Sequence, residues 1–431
     1  MVNKLIIRGG TPLHGEVAVS GAKNSATKLL IASLLTNEPV VLYNVPDIGD
    51  VDITMEICQQ IGSQVELKNH ELHIHTPTIK HTQVKQQTRK NRISVLALGP
   101  LLHRTHEAEL PIVGGDQIGA RPVNYHIAAL RQMGVTIEEA TGGYQAHAKT
   151  IHGTEIELPY PSVGATENII LTAVLAKGRT LIRNAATEPE IMDLVMMLQR
   201  MGAIIEFRAG RVIMVDGVKR LHGTAYTIMP DRLEAASYAA AALATNGKIL
   251  VRQARQADLV TFLNTVRRMR ADYHISSDGI TFRRDGELRS IVVTTDVWPG
   301  FASDWQQPLA VTLTQAHGKS IIHETVYGNR FGYTKTLDHM GANITLFDAR
   351  TKGLAKEFRD SHYDQSAAIA GPTPLHGTNI VIPDIRAGMA HVIAALTAQG
   401  TSTVTGVEHL LRGYDDPLSK LKAVDAEFKT E

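Results

Sequence analysis

The chain repeats one pattern six times, and this repetition constrains its fold more than any other feature. Each copy has an apolar residue, two variable positions and a Met or similar residue, and most copies continue with Gly and a small residue. Positions 61, 133, 201, 269, 340 and 424 mark the copies, so they lie 72, 68, 68, 71 and 84 residues apart. Each copy predicts a helix that ends at a glycine and is followed by a strand, such as 135–139 or 204–208.

A second element recurs in most copies, as an Ala- and Leu-rich helix that runs into Gly and then a strand. Such helices are predicted at 29–35, 171–177, 235–246, 309–317 and 389–399. Each repeat therefore holds two helices and about four strands. Because a period near 70 exceeds that of common solenoids, the pattern predicts an α/β fold with two domains of three repeats each. The predicted junctions lie at 21–24 and 229–232, and the polar segment 348–365 is predicted to be a surface insertion.

The composition excludes several classes of protein. The 431 residues carry 44 basic and 43 acidic side chains, a balance that argues against nucleic-acid and membrane-surface partners. We expect no transmembrane helix and no signal peptide, since no apolar run approaches 18 residues and the N-terminus reads as a strand. The single cysteine, Cys58, favours a reducing cytoplasm and a core position. The 19 histidines show no metal-ligand spacing, so neither a metal nor another cofactor is expected, and the oligomeric state stays open.

A glycine-rich loop at 114–123 is the strongest local candidate for chemistry. It sets Asp116 and Arg121 among three glycines within six positions, where the backbone can bend sharply and approach a ligand. An ionisable group on such a loop predicts a catalytic lid. The alternative, for the loop taken alone, is a solvated surface turn.

The neighbouring motifs give the loop its context. They are SGAKN at 20–24, LGPLL at 98–102, PSVGATEN at 161–168, EPEI at 188–191, PDRLE at 230–234, PGFASD at 299–304, ETVYGNRF at 324–331, DIRAG at 384–388 and RGY at 412–414. In this order, and over essentially the whole length, the chain resembles the enolpyruvyl transferase family. The resemblance implies two inside-out α/β barrel domains, each of three βαβαββ units. Residues 23–230 would form the domain that carries the lid, and residues 1–22 with 231–431 would form the other, with the active site in the cleft between them.

The resemblance also implies a reaction. Phosphoenolpyruvate would give its enolpyruvyl group to the 3-hydroxyl of UDP-N-acetylglucosamine, with release of phosphate, in the first committed step of peptidoglycan precursor synthesis. The cationic ligands of phosphoenolpyruvate and phosphate would be Lys23, Arg92, Arg121, Arg386 and Arg412. Asp304 would be the base for the sugar hydroxyl, Asp116 the acid for the methylene carbon, and Asn24 would orient the tetrahedral intermediate. The nucleotide sugar would be bound by Pro122, Val123, Asn124, Ser162, Val163, Gly164 and Val326.

Three departures from the family pattern leave alternatives open. Asp116 stands where most members carry Cys, so the epoxide fosfomycin, which alkylates that cysteine in the family, is expected to fail here. Asn124 replaces a common acid and Ala302 a usual proline. Transfer to shikimate 3-phosphate or another nucleotide, and a catalytically weak binding paralogue, remain alternatives. Individual residues also have structural readings: a surface Lys23, an Arg386 paired with Asp384, and Asp231 as a helix N-cap.

Overall fold

The chain forms two compact units. The computed structural model describes residues 3–84, 92–111, 123–140, 142–348, 364–383 and 385–431, with only the backbone described at 140, 385 and 386. The terminal unit comprises residues 3–20 and Pro230–Glu431, and the inserted unit comprises the described residues between 21 and 229. The chain therefore enters the inserted unit after Ser20 and leaves it after Met229.

The described residues contain strands and helices in the alternating order that the repeats predict. The strands are β1 (Lys4–Gly9), β2 (His14–Ala18), β3 (Val40–Tyr43), β4 (Gln64–Lys68), β5 (Glu71–His75), β6 (Glu107–Pro111), β7 (Thr136–Ala140), β8 (Gly143–His147), β9 (Glu155–Glu157), β10 (Arg179–Arg183), β11 (Ile204–Arg208), β12 (Val212–Asp216), β13 (Thr224–Thr227), β14 (Lys248–Arg252), β15 (Asp272–Ser276), β16 (Gly279–Arg283), β17 (Val292–Thr294), β18 (Gly318–His323), β19 (Asn343–Phe347), β20 (Ser366–Gly371), β21 (Asn379–Val381), β22 (Gly400–Thr405) and β23 (Glu427–Thr430). The helices are α1 (Lys23–Ala32), α2 (Gly49–Ile61), α3 (Leu98–Thr105), α4 (Asn124–Gln132), α5 (Val163–Ala173), α6 (Pro189–Arg200), α7 (Arg232–Ala244), α8 (Gln256–Arg268), α9 (Gln306–Leu313), α10 (Thr334–His339), α11 (Ile385–Thr397), α12 (Val407–Leu411) and α13 (Pro417–Lys422). Short 3-10 helices cover Ser33–Leu35, Ile93–Ala97 and Ser303–Trp305.

The six sheets share one topology, which confirms the α/β fold built from six repeats. In five of them a parallel pair is extended by two antiparallel strands, in the orders β13-β3-β5-β4, β9-β10-β12-β11, β2-β14-β16-β15, β17-β18-β20-β19 and β21-β22-β1-β23. The sixth sheet, β6-β8-β7, has three strands, and a parallel bridge from Gln83 to Glu109 occupies the place of the fourth.

Repeats are completed by strands that are distant in sequence. Strand β1 lies between β22 and β23, and β2 pairs in parallel with β14, so the first strands of the chain finish sheets of the terminal unit. Strand β13, at the end of the inserted unit, pairs in parallel with β3 near its beginning. Each unit is thus closed by its own ends.

The predicted helix ends lie where the marker positions place them. Helices α2, α4, α6, α8, α10 and α13 end at or within two residues of their marker. The residue directly after each marker position has a positive φ: these residues are Gly62, Gly134, Gly202, Arg270, Gly341 and Asp425. The amide after that residue donates to a carbonyl in the last helical turn, as from Ala203 to Leu198 at 2.9 Å. This is the Schellman termination, which glycine favours because it lacks Cβ.

Helices form the centre of each unit, and the sheets lie outside them. In the terminal unit α7, α9 and α11 pack against one another, and every residue of α7 and α9 is buried. In the inserted unit α5 packs against α3, and the 3-10 helix Ile93–Ala97 packs against both α1 and α5. None of the helices in the described ranges combines the length and apolar character needed to span a bilayer.

A buried carboxyl on α5 gives a testable pH dependence. Glu167 is 1% exposed, and burial raises its pKa to about 7, while Lys28 opposes the rise and Glu190 and Glu188 add to it. The folded pKa lies above the ordinary value of 4.5, so the stability from this group is complete below about pH 4.5 and is lost as pH rises through about 7.

We expect Glu167→Gln to flatten the fall in unfolding free energy of the inserted unit between pH 5 and pH 8. The difference between variant and wild type should reach about 3 kcal/mol, because each pKa unit corresponds to about 1.4 kcal/mol. Urea denaturation at several pH values measures it. Glu157→Gln, at a solvent-exposed position on β9, is the matched control and should leave the pH slope unchanged. Parallel pH profiles for wild type and Glu167→Gln would contradict the prediction.

Candidate active site

Lys23 is the first residue of α1 and is held in an ion pair. Its Nζ lies 2.8 Å from Oδ2 of Asp50, in the first turn of α2, and the two side chains are 11% and 17% exposed. The reading of Lys23 as a surface lysine is therefore wrong. Asn24 follows as the second residue of α1 and is partly buried.

The start of α1 is fixed by a carboxylate from another repeat. Asp193, on α6, accepts hydrogen bonds from the Ser25 hydroxyl, from the Tyr226 hydroxyl at 2.7 Å and from the Met229 amide at 3.3 Å. It is 5% exposed. One buried carboxylate thus joins both ends of the inserted unit beside Lys23, which restrains the lysine's backbone.

The predicted nucleotide-sugar ligands Ser162, Val163 and Gly164 form the N-terminus of α5. Ser162 is the N-cap, and its Oγ accepts from the Ala165 amide at 3.4 Å, while its carbonyl accepts from the Thr166 amide at 2.9 Å. Among the described residues, no acceptor pairs with the amides of Val163 and Gly164. Two N–H groups at the positive end of a helix form a favourable place for an anion.

The other predicted ligands of the inserted unit lie on neighbouring elements. Arg92 directly precedes the 3-10 helix that packs against α1 and α5, so the structure brings it to the same group of helices. Val123 is the N-cap of α4 and is buried, and Asn124 is the first residue of that helix and is exposed.

Asp304 lies in the 3-10 helix Ser303–Trp305, immediately before α9. Its Oδ1 accepts a hydrogen bond from Nη2 of Arg330. The side chain of Arg330 is 1% exposed and that of Asp304 is 25% exposed. The guanidinium also lies over the ring of Tyr327, 5.5 Å from its centroid. The ion pair fixes the direction of the candidate base.

Glu324 ties the Asp304 segment to the turn that contains Val326. One oxygen of Glu324 accepts hydrogen bonds from the Ser303 hydroxyl at 2.9 Å and from the side-chain Nε2 of Gln306 at 2.8 Å. The other accepts from the backbone amides of Val326 and Tyr327, at 2.8 and 3.1 Å. Glu324 is 1% exposed, so this carboxylate is a buried junction between two predicted ligand positions.

Arg232 supports the same segment from α7. Its guanidinium lies 5.2 Å from the ring of Trp298 and 5.3 Å from the ring of Trp305, the residue next to Asp304. Asp231 is the N-cap of α7 and accepts from the amides of Leu233 and Glu234. The N-cap reading of Asp231 is therefore confirmed, and its neighbour Arg232 has a packing role.

The remaining predicted residues are only partly described. Arg412 is the C-cap of α12, a helix that packs against α11, and it is partly buried. Arg386 is the second residue of α11, and its side chain lies outside the described part of the structure. Asp116, Arg121, Pro122 and Asp384 also lie outside the described residues, as does nearly all of the 348–365 segment.

Sequence reasoning missed Arg330, Glu324, Asp193 and Arg232 as members of the site. Arg330 and Glu324 stand inside the ETVYGNRF motif, so the motif contained a signal, but the side chains to which they are hydrogen-bonded lie 18 to 26 residues away. Asp193 contacts residues more than 30 positions away and carried no signal.

The comparisons with known proteins decide the family. The profile described as EPSP synthase (3-phosphoshikimate 1-carboxyvinyltransferase) matches residues 7–421. The chain belongs to this family. The EPSP synthase-family fold is also seen in the crystal structure of an enolpyruvyl transferase from Streptomyces tendae, which aligns over 100% of both chains with a TM-score of 0.86 and 23% identity.

Two relatives in the family are much closer in sequence. A protein of Protochlamydia amoebophila is 46% identical over 432 residues, which cover 98% of this chain and 93% of that protein. A protein of Chlamydia pneumoniae is 47% identical over 424 residues, covering 97% and 93%. Both are named UDP-N-acetylglucosamine 1-carboxyvinyltransferase.

We expect Glu324→Gln to destabilise the terminal unit by about 2 kcal/mol. The amide that replaces one carboxylate oxygen cannot accept hydrogen bonds, so donors around it lose their acceptor inside the protein. Glu408→Gln, at an exposed position of α12, is the control and should change stability little. Denaturant unfolding of the three proteins measures the difference. Equal midpoints for Glu324→Gln and wild type would show that the junction adds no stability.

Proposed function

We propose that the protein transfers the enolpyruvyl group of phosphoenolpyruvate to the 3-hydroxyl of UDP-N-acetylglucosamine and releases phosphate. This is the first committed step of peptidoglycan precursor synthesis. The observation that carries the proposal is the near-complete alignment, at 46–47% identity, with relatives named for this activity. Two described residues add support: Lys23 is the first residue of α1 and Asp304 lies in the turn before α9, and they are a cation and a carboxylate of the kinds that the reaction needs.

Each step of the proposed reaction has a candidate group in the chain. The sugar O3 forms a bond to C2 of phosphoenolpyruvate while its proton passes to Asp304, and C3 receives a proton from Asp116. The Asp116 carboxylate then takes a proton back from C3, which restores the double bond as the C2–O bond breaks and phosphate leaves. Lys23, Arg92, Arg121, Arg386 and Arg412 would balance the charge of the carboxylate and phosphate.

The described contacts support the roles of Asp304 and Lys23. The Arg330 ion pair and the Glu324 junction hold Asp304 in one orientation, as a positioned base requires. Lys23 is partly buried, so its charge acts in an environment of lower dielectric than water.

We further propose that the two units act as domains of one enzyme. Lys23, Arg92 and the start of α5 belong to the inserted unit, while Asp304, Val326 and Arg412 belong to the terminal unit. Both sets are needed for the reaction, so both units would contribute to the active site. We propose a cytoplasmic location, with which a single, free and buried cysteine agrees.

An assay of phosphate release tests the function directly. The purified protein is given phosphoenolpyruvate with UDP-N-acetylglucosamine, and separately with shikimate 3-phosphate. We expect phosphate only with the nucleotide sugar. Release with shikimate 3-phosphate alone would reassign the acceptor, and no release with either would favour a binding paralogue.

We expect Lys23→Ala to lower turnover by about 100-fold or more, because it removes a positioned charge from the proposed phosphoenolpyruvate site. Lys4→Ala is the control. Lys4 also pairs with a carboxylate, Glu431 at 2.6 Å, but its side chain is 36% exposed, so turnover should be unchanged. Steady-state kinetics of both variants measure the effect. Wild-type turnover in Lys23→Ala would remove Lys23 from the catalytic set.

We expect fosfomycin not to inactivate the protein. Its single thiol, Cys58, is fully buried on α2, and burial raises the pKa of that thiol to about 12, so the reactive thiolate is suppressed. A carboxylate at position 116 is a poorer nucleophile toward an epoxide than a thiolate.

Asp116→Cys should restore time-dependent inactivation. It should also shift the alkaline limb of the pH–rate profile to higher pH, because the ordinary pKa of the acid rises from ~3.9 to ~8.5. Cys58→Ala is the control and should behave as wild type. Inactivation of the wild-type protein, with an adduct mapped by mass spectrometry to position 116, would contradict the predicted resistance to fosfomycin.

A further inference from the structure

Lys420, on α13, closes a ring of hydrogen bonds in the terminal unit. Its Nζ lies 2.6 Å from Oε1 of Glu234 and 2.7 Å from Oγ of Ser20. The second oxygen of Glu234 accepts from the backbone amide of Ser20 at 2.8 Å. The side chains of Lys420 and Glu234 are 14% and 4% exposed, so the ring is largely shielded from water. It ties α13 to the first turn of α7, where Glu234 lies.

The ring extends to Asp415 through the Ser20 hydroxyl, and the direction of these hydrogen bonds is fixed. An ammonium group only donates, so Ser20 Oγ accepts from Lys420 and keeps its own proton free to donate. That proton goes to Oδ2 of Asp415, which lies 2.7 Å from Ser20 Oγ. Asp415 is 7% exposed. The lysine therefore orients the hydroxyl that holds this carboxylate.

The segment that the ring holds is the turn that carries Arg412. Helix α12 ends at Arg412, its C-cap. Two residues later, the Tyr414 hydroxyl lies 2.9 Å from Oγ of Ser237, one turn beyond Glu234 on α7. The next residue is Asp415, which the Ser20 hydroxyl holds. The backbone that follows Arg412 is thus anchored at two successive side chains.

We propose that Lys420 is a positioning residue for Arg412, because through Ser20 and Asp415 it holds the turn that presents the guanidinium to phosphoenolpyruvate. The inference rests on the proposed function, in which Arg412 is a ligand of that substrate. A guanidinium binds a carboxylate or phosphate well only in a narrow range of geometry, so its backbone must be held firmly. Loss of the lysine would therefore weaken binding of phosphoenolpyruvate and spare the nucleotide sugar.

The protonation of Glu234 allows the lysine to be removed without leaving a buried charge unpaired. Burial raises the pKa of Glu234 to about 7, while Lys420 and the Ser20 amide oppose the rise and Asp231 adds to it. Without the lysine, the carboxyl can take up a proton and stay buried as a neutral group. A variant at position 420 is thus expected to fold and to lose mainly the link to Asp415.

Steady-state kinetics of the full-length protein, with each substrate varied in turn, test the inference. Lys420→Met should raise KM for phosphoenolpyruvate by about tenfold, since hydrogen bonds from Arg412 to a charged group are misaligned, and should leave KM for UDP-N-acetylglucosamine unchanged. Lys420→Arg should recover most of the loss, because it keeps a cationic donor beside Ser20 and Glu234.

A double variant separates positioning of Arg412 from a general loss of structure. In an Arg412→Ala background, Lys420→Met should change KM for phosphoenolpyruvate little, because the group that it positions is already gone. Ser20→Ala removes the hydroxyl but keeps the Lys420–Glu234 pair, so it should give a smaller rise in the same KM. If Lys420→Met does not fold, Ser20→Ala decides by the same criterion.

The control is Lys422→Met, at an exposed position of the same helix, which should leave both KM values unchanged. The inference is overturned by an unchanged KM for phosphoenolpyruvate in Lys420→Met, by equal rises for the two substrates, or by a full effect in the Arg412→Ala background. Each of these results leaves the proposed function standing. Absence of turnover in the wild-type protein would overturn both.

Discussion

Complete burial of the inner helices is the constraint on which the rest of the structure depends. Every residue of α7 and α9 is buried, so each helix is largely apolar around its circumference and carries its charged and amide side chains in its first turn. The candidate residues follow this rule: Lys23 begins α1, Ser162 caps α5, and Asp304 lies in the turn before α9. Because all six repeats share one topology, each inner helix begins at the same place in its repeat. Helix N-termini favour anions, so the architecture suits an anionic substrate before any particular side chain is considered.

The charged residues at these helix starts are already paired. Lys23 contacts Asp50, and Asp304 contacts Arg330, which is 1% exposed. Such pairs contribute little net stability, because desolvation offsets much of their attraction. The effect of these two ion pairs is instead to orient the site, since each pair holds a long or rotatable side chain in one direction. In the proposed function, phosphoenolpyruvate would compete with Asp50 for Lys23, and its carboxylate and phosphate together carry more charge than one carboxylate.

The repeat was readable from the sequence because it depends on local patterns, whereas the site's internal contacts were not. Helix ends follow from the spacing of apolar residues and glycine, and even Arg270 and Asp425 take a positive φ at the same position. The pairing of β13 with β3 depends on residues more than 180 positions apart, as Thr224 with Val40, and no local pattern encodes it. The candidate ligands came from motif resemblance. The Glu324 junction became evident only from packing. A glutamate in a turn motif is usually exposed to solvent, whereas Glu324 is 1% exposed.

Protonation is the property that sequence reasoning reaches least well, since burial decides it. His126 on α4 and Glu167 within α5 are both buried, and burial favours the neutral form of each, with pKa values of about 3 and about 7. The same physics bears on Asp116 as the proposed acid. An aspartate with an ordinary pKa would be ionised at neutral pH and could not protonate C3. Glu167 shows that burial in this chain raises a carboxyl pKa to about 7 even with a lysine nearby. A comparable exclusion of water around Asp116 would therefore be sufficient to keep a useful fraction protonated, provided that the charge of Arg121 is taken up by the substrate phosphate.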